Sequence, residues 1–252
     1  MAVFSFVLGL ILGSFLNVCI HRIPLRQSIV NPPSHCPGCG QKIRFYDNIP
    51  LISYIVLLGR CRHCRQRIPL RYPLVELIMG LLSLSLYYKY YIHYLYFIFL
   101  IFTGALLIIS FIDLQHQIIP DIISIPGILL GFLISVFFGH ITWYDSLIGI
   151  LGGGGALFLV AVIFEKVAGK EGMGGGDVKL LAMIGAWMGW RSLPFIILAS
   201  SFSGLILGGG SLLLSRRGLR ATIPFGPFLA LGALVYLFFG HEIMGWYFRL
   251  LF

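Results

Sequence analysis

Charge is what this sequence lacks. Of its 252 residues only 11% are Asp, Glu, Lys or Arg, whereas 58% are hydrophobic; a soluble globular domain carries roughly 25% charged residues. That shortage excludes an ordinary soluble enzyme or binding module. Also missing is a basic region ahead of the first apolar run, and apolar runs recur to the C-terminus. A signal peptide followed by a soluble remainder is therefore not expected. Acidic residues number only nine against 18 Lys and Arg, a formal net charge of +9. In a nucleic-acid binder that excess would form a basic face, but here it is concentrated between apolar runs, so nucleic acid is not an expected partner.

What is present is a polytopic membrane pattern. A bilayer core of about 30 Å takes about 20 apolar residues per helix, and backbone polar groups cannot face lipid unpaired. The uncharged runs predict an all-α protein with about eight transmembrane helices: Val3–Ile20, Leu74–Tyr88, Tyr94–Ile112, Ile122–Gly139, Ser146–Phe164, Val178–Gly189, Ser192–Leu214 and Phe228–Phe248. Eight spans sort the connecting segments into two sets. One holds 15 basic residues, nine of them in 21–73 with Lys166, Lys170, Lys179, Arg216, Arg217 and Arg220 beyond; the other holds Lys89, Arg191 and Arg249. Basic loops stay on the cytoplasmic side, so both termini are expected outside the cytoplasm. The chain then divides into a first helix (1–20), a cytoplasmic module (21–73) and a helical bundle (74–252). Membrane lipids are expected around the helices and against the basic module.

The module carries four of the five cysteines, as Cys36-Pro-Gly-Cys39 and Cys61-Arg-His-Cys64, with 21 residues between the pairs. Two C-x-x-C knuckles present four thiolates on tight turns, the pattern of a closed structural Zn²⁺ site, which makes the module zinc-ribbon-like. Gly38 and Gly40 let the backbone fold back. Two disulfides are the competing reading, disfavoured by the reducing compartment that the basic loop implies. His35 or His63 would be the alternative ligand, and Cys19, inside the first helix, reads as a packed apolar group.

Carboxylates at membrane depth are costly and usually functional. Two stand out. Asp113 ends the third run, and Asp177 opens the sixth directly after Gly174, Gly175 and Gly176. The topology puts both at the cytoplasmic face. Two carboxylates within hydrogen-bond reach share one proton, leaving one as acid and the other as base toward a water that attacks a peptide carbonyl. The same residues also suit plainer roles, Asp177 as a helix N-cap and Asp113 as an interfacial helix end. Asp121, after Pro120, reads as an N-cap. Glu76, close to Arg71, reads as a paired interfacial charge or part of a second site. Residues 171–176, with four glycines, read as a hinge beside Asp177, and Lys179 as a cation that holds Asp177 ionised or meets an acidic group of a substrate. A proton- or cation-coupled transporter with a zinc-stabilised module is the rival class. It is disfavoured because the aspartates fall at one face and the two halves show no repeat.

Along nearly its whole length the chain resembles the bacterial type IV prepilin peptidases. The resemblance runs from Gly9-x-x-x-Gly13-Ser-Phe-Leu-Asn17 through Arg22-Ile-Pro24, both cysteine pairs, Asp47-Asn-Ile-Pro50, Ser53-Tyr54 and Arg71-Tyr-Pro73 with Glu76. It continues through Asp113 with Ile-Ile-Pro120-Asp121, Gly174-x-Gly176-Asp177 with Lys179, and Pro224-Phe-Gly-Pro227. It implies a membrane aspartyl endopeptidase of the bacterial inner membrane with Asp113 and Asp177 catalytic. Such an enzyme cuts leaders from prepilins or pseudopilins of type IV pilus and type II secretion systems and methylates the new N-terminus from S-adenosylmethionine. The resemblance associates the cysteine module with methyl transfer; no motif places the methyl-donor site.

Overall fold

The computed structural model describes residues 1–168, 174–208 and 224–251. Among them the structure is helical, with no named strand. The helices are α1 (Ala2–Arg22), α2 (Ile52–Val56), α3 (Arg71–Tyr90), α4 (Tyr94–His116), α5 (Asp121–Phe138), α6 (Trp143–Ala168), α7 (Gly175–Met188), α8 (Leu193–Ser203) and α9 (Gly226–Leu251). Five stretches are long and apolar enough to cross a membrane: Ala2–Arg22, Tyr94–His116, Asp121–Phe138, Trp143–Val167 and Trp190–Leu207. Eight helices match the eight apolar runs in position, but α7, with 14 residues, is only about 21 Å long at 1.5 Å per residue. The end of the seventh run, the hinge residues Glu171, Gly172 and Met173, and the basic Lys170, Arg216, Arg217 and Arg220 lie outside the described residues.

The chain forms two compact units, Met1–Ile108 and Ile109–Phe252. In the first, α1 packs along α3 with almost no space between them. A Cβ at Gly13 would stand 2.7 Å from Glu76 Cα, and one at Gly9 2.6 Å from the Met79 carbonyl oxygen. Where water is absent, hydroxyls must find protein partners. Buried Ser5, Ser83 and Tyr96 do so, with Ser5 Oγ 3.1 Å from Ser83 Oγ and 3.0 Å from Tyr96 Oη. At the end of α1, buried Arg22 donates to the carbonyls of Ser28 (2.8 Å) and Pro32 (2.7 Å), tying the helix to the loop that leads into the cysteine module.

In the second unit α7 is the centre. Leu180 to Trp187 are all buried, and α5 and α6 pack against it. A Cβ at Gly149 would stand 2.2 Å from the Gly185 carbonyl oxygen, so α6 and α7 meet backbone to backbone. Polar bonds fix the register: Ser146 Oγ donates to the Ala186 carbonyl (2.8 Å) and Trp187 Nε1 to the Gly127 carbonyl (2.8 Å). These contacts explain how so short a helix stays placed, since Leu180 to Trp187 are covered by neighbours.

Candidate active site

Three helix ends of the second unit meet at the two aspartates. Asp113 lies near the end of α4 and is 5% exposed. Its Oδ2 accepts the backbone N–H of Gly226, the first residue of α9, at 3.0 Å. Asp177 is half-buried in the first turn of α7, its own N–H bonded to the Gly174 carbonyl at 3.1 Å. The two carboxylates are close enough for the charge of Asp113 to act on Asp177. Neither is paired with a cation among the described residues. Ile119, between α4 and α5, packs against both flanking glycines: a Cβ on Gly176 would stand 2.9 Å from Ile119 Cβ, and one on Gly226 3.3 Å from Ile119 Cδ1.

Other expected partners are placed differently. Lys179 donates to Asp121 Oδ1 at 2.7 Å, an exposed pair two residues along α7 from Asp177. Asp121 is not an N-cap: Pro120 occupies that position with extended backbone, no side chain caps α5, and Asp121 is the first helical residue. There its charge complements the helix dipole. Glu76 accepts the Leu51 N–H at 2.9 Å. Sequence reading gave no role to Gly226. The available signal is a glycine between two prolines, but nothing local ties it to an aspartate 113 positions earlier.

In the first unit the two knuckles repeat one geometry. Cys36 N–H donates to the Gln41 carbonyl and Cys61 N–H to the Gln66 carbonyl; Gly40 N–H returns to Cys36 and Arg65 N–H to Cys61. Each is closed by one antiparallel bridge, His35 with Lys42 and Arg60 with Arg67. The fourth position after the leading cysteine has positive φ in both, +68° at Gly40 and +59° at Arg65. Gly38 lies directly under the end of the Gln66 side chain, which a Cβ there would displace. The four Sγ atoms all lie within 4.8 Å of one another, with Cys36 Sγ and Cys64 Sγ 3.7 Å apart. A tetrahedral ion with metal–sulfur bonds of about 2.3 Å has sulfur–sulfur edges of about 3.8 Å, so the set fits a closed metal site. The backbone N–H groups of Cys64 and His63 hold the Cys61 thiol down to about 7, while at Cys64 the Gln66 N–H is outweighed by desolvation and the neighbouring thiols, which push that thiol up to about 11, so Cys61 ionises first. Arg62 clasps Asp47 through Nε at 3.0 Å to both carboxylate oxygens and holds that carboxyl below the usual range, pinning the turn at Phe45–Asn48 to the second knuckle.

Against known families, residues 7–90 match the bacterial peptidase A24 N-terminal domain and residues 100–209 the type IV leader peptidase family. The chain belongs to the type IV leader peptidase family. It is 40% identical to the prepilin leader peptidase/N-methyltransferase of Stutzerimonas stutzeri over 96% of this chain and 92% of that protein. It is likewise 40% identical to that of Pseudomonas aeruginosa (95% and 90%) and 38% identical to that of Aeromonas salmonicida (96% and 92%). No solved structure matches the chain. Membership in this leader peptidase family makes it an inner-membrane, multi-pass enzyme of the protease and methyltransferase kind.

Proposed function

We propose that this chain removes the leader of type IV prepilins or pseudopilins at the cytoplasmic face of the inner membrane and then N-methylates the new terminus. The observation that carries the cleavage half is the meeting of Asp113 and Asp177 at three helix ends, with one backbone N–H aimed at Asp113. Two carboxyls so placed share a proton. The ionised one takes a proton from a bound water, whose oxygen forms a bond to the scissile carbonyl carbon; the protonated one supplies a proton to the carbonyl oxygen. On collapse the carboxyl that took the water's proton passes it to the departing nitrogen, the other takes back a hydroxyl proton as the carbonyl re-forms, and the carbon–nitrogen bond breaks to release an amine. Gly174 and Gly175, with open space beside them, leave the backbone before Asp177 accessible to an extended substrate strand.

We take α3, α7 and α9 as crossings in addition to the five long apolar stretches, giving eight. The basic segments then lie in the cytoplasm with the cysteine module and both aspartates, and the termini lie outside. Cys36, Cys39, Cys61 and Cys64 would hold one structural Zn²⁺, since an all-thiolate tetrahedron suits zinc and leaves no open position for catalysis. S-adenosylmethionine enters as the methyl-donor substrate. The test is to incubate the purified full-length protein in detergent with a prepilin and read the new N-terminus by mass spectrometry. The expected product lacks its leader and gains about 14 Da, one CH₂ per methyl transferred. An intact leader would refute the peptidase reading, and an unshifted mature terminus the methyl-transfer reading.

A further inference from the structure

The amine released by cleavage has to be received somewhere for methyl transfer, and one cluster in the first unit has the matching chemistry. Two rungs join α1 to α3 across their close seam. Ser14 faces the Glu76 carboxylate, and one turn away along each helix Asn17 Nδ2 donates to the Tyr72 carbonyl at 3.0 Å. Glu76 is 8% and Asn17 2% exposed. Among the described residues no cation is paired with Glu76, and Asn17 Oδ1 has no hydrogen-bond partner at all. A buried acceptor left empty costs about 1–3 kcal/mol, so it calls for a donor that arrives from outside.

The loop over Glu76 is built at a cost. Leu51 has φ +60° and ψ −48°, and the Pro50 carbonyl accepts the Ile52 N–H across it at 2.6 Å. That is a three-residue turn of the rare, strained hand, and it aims the Leu51 N–H at the Glu76 carboxylate (2.9 Å). Beside this loop runs a groove of about 540 Å³ lined by α1 residues, Ser14 among them, and by Asn48, Ile49, Pro50 and Ile52. Its walls are otherwise almost wholly apolar. Ser14 lines this groove and the Glu76 carboxylate lies behind it, between Ser14 and the Leu51 N–H; a carboxylate, a hydroxyl and, one turn along α1, an orphaned amide oxygen complement a protonated primary amine at the head of an apolar peptide: three donors on one nitrogen, with an apolar chain behind it.

Resting on the methyl-transfer half of the proposed function, we propose that Glu76, with Asn17 and Ser14, binds the new amino terminus of the cleaved substrate, making it the amine subsite for N-methylation. In the transfer, the nitrogen lone pair forms the new nitrogen–carbon bond while the donor's sulfur–carbon bond breaks and its electron pair goes to sulfur. The proton that nitrogen gives up passes to Glu76.

The test uses the full-length enzyme with two substrates, a leader-bearing prepilin for cleavage and an already leaderless peptide for methylation. Glu76→Gln keeps the carbonyl that accepts the Leu51 N–H. It is expected to lower methylation kcat/KM at least about 100-fold while cleavage stays within twofold of wild type. Residual methylation by Glu76→Gln should climb as pH passes about 8, where a free α-amino group sheds its own proton. A purely structural defect would not be rescued in that way. Glu76→Asp, which keeps the charge but withdraws it, is expected to raise KM for the leaderless peptide and leave KM for S-adenosylmethionine alone. Methylation within threefold of wild type in Glu76→Gln, cleavage falling in parallel with methylation, or a defect confined to the KM of the methyl donor would each overturn the assignment. A wild-type enzyme that cleaves but never methylates would remove the underlying reading, and this subsite with it.

Discussion

Replacing Gly226 with alanine puts a methyl carbon 2.7 Å from Asp113 Oδ2 and 3.3 Å from its Cγ, where ordinary contact begins at 3.4 Å. Something must move by about 0.7 Å, the shortfall between 2.7 and 3.4 Å, and the yielding group is the carboxylate at the end of a rotatable side chain. Helix α9 loses nothing, because alanine is the better helix former and Gly226 is already helical. Catalysis is a different matter, since misplacement of a reacting group by 1 Å can cost about 100-fold. Gly226→Ala is therefore expected to lower kcat for leader cleavage by about 10- to 100-fold, with the melting temperature in detergent unchanged or slightly raised. The assay is cleavage of a prepilin at saturating substrate, run beside a thermal melt of the same preparation. Turnover within twofold of wild type would refute the reasoning, as would a loss of activity that merely tracks a loss of folded protein.

Asp113→Asn and Asp177→Asn are each expected to abolish cleavage while membrane insertion stays normal; substantial residual cleavage in both would remove the dyad. Gly176→Ala should cost far more activity than Gly174→Ala, because the new Cβ meets Ile119 Cβ at 2.9 Å in the first case and nothing nearer than 3.9 Å in the second; equal turnover in the two variants would contradict the close packing at Ile119. Metal analysis of protein prepared without chelator is expected to find about one zinc per chain, and Cys36→Ser or Cys61→Ser to make residues 21–73 more sensitive to limited proteolysis. Absence of metal with freely titrating thiols would defeat the structural-zinc reading.

The parts of this molecule legible in its sequence are those where one physical demand acts on neighbouring residues. Apolar runs announce helices because every backbone group at membrane depth must be paired within its own segment, and all eight runs coincide with helices over their described residues. The C-x-x-C pairs announce a cluster because two thiols on one turn are already half of a tetrahedron. The choice of partner across the fold is where local reasoning stops. Lys179 faces Asp121, not Asp177, because α5 begins beside α7, a fact that no pattern within residues 171–179 contains. Arg65 occupies a positive-φ position whose counterpart in the first knuckle is Gly40, so the residue type there does not report the backbone conformation that the bridge of Arg60 with Arg67 imposes. Glu76 reads along the sequence as the neighbour of Arg71 on one helix, whereas its carboxylate accepts the N–H of Leu51 from the strained turn.

The spacing of the aspartates has a cause that becomes visible only when the three helix ends are considered together. Helix α4 stops at His116, Gln117 takes φ +54°, and Pro120 starts α5 as its N-cap, so Ile119 is held in a short link with little freedom. Its side chain fills the space between Gly176, next to Asp177, and Gly226, whose N–H holds Asp113. A Cβ on either glycine would collide with this isoleucine or with the Asp113 carboxylate. The two glycines therefore serve closeness as well as freedom of backbone: they let α7 and α9 approach one wedge from two sides, and the thickness of that wedge sets how near the two carboxylates come.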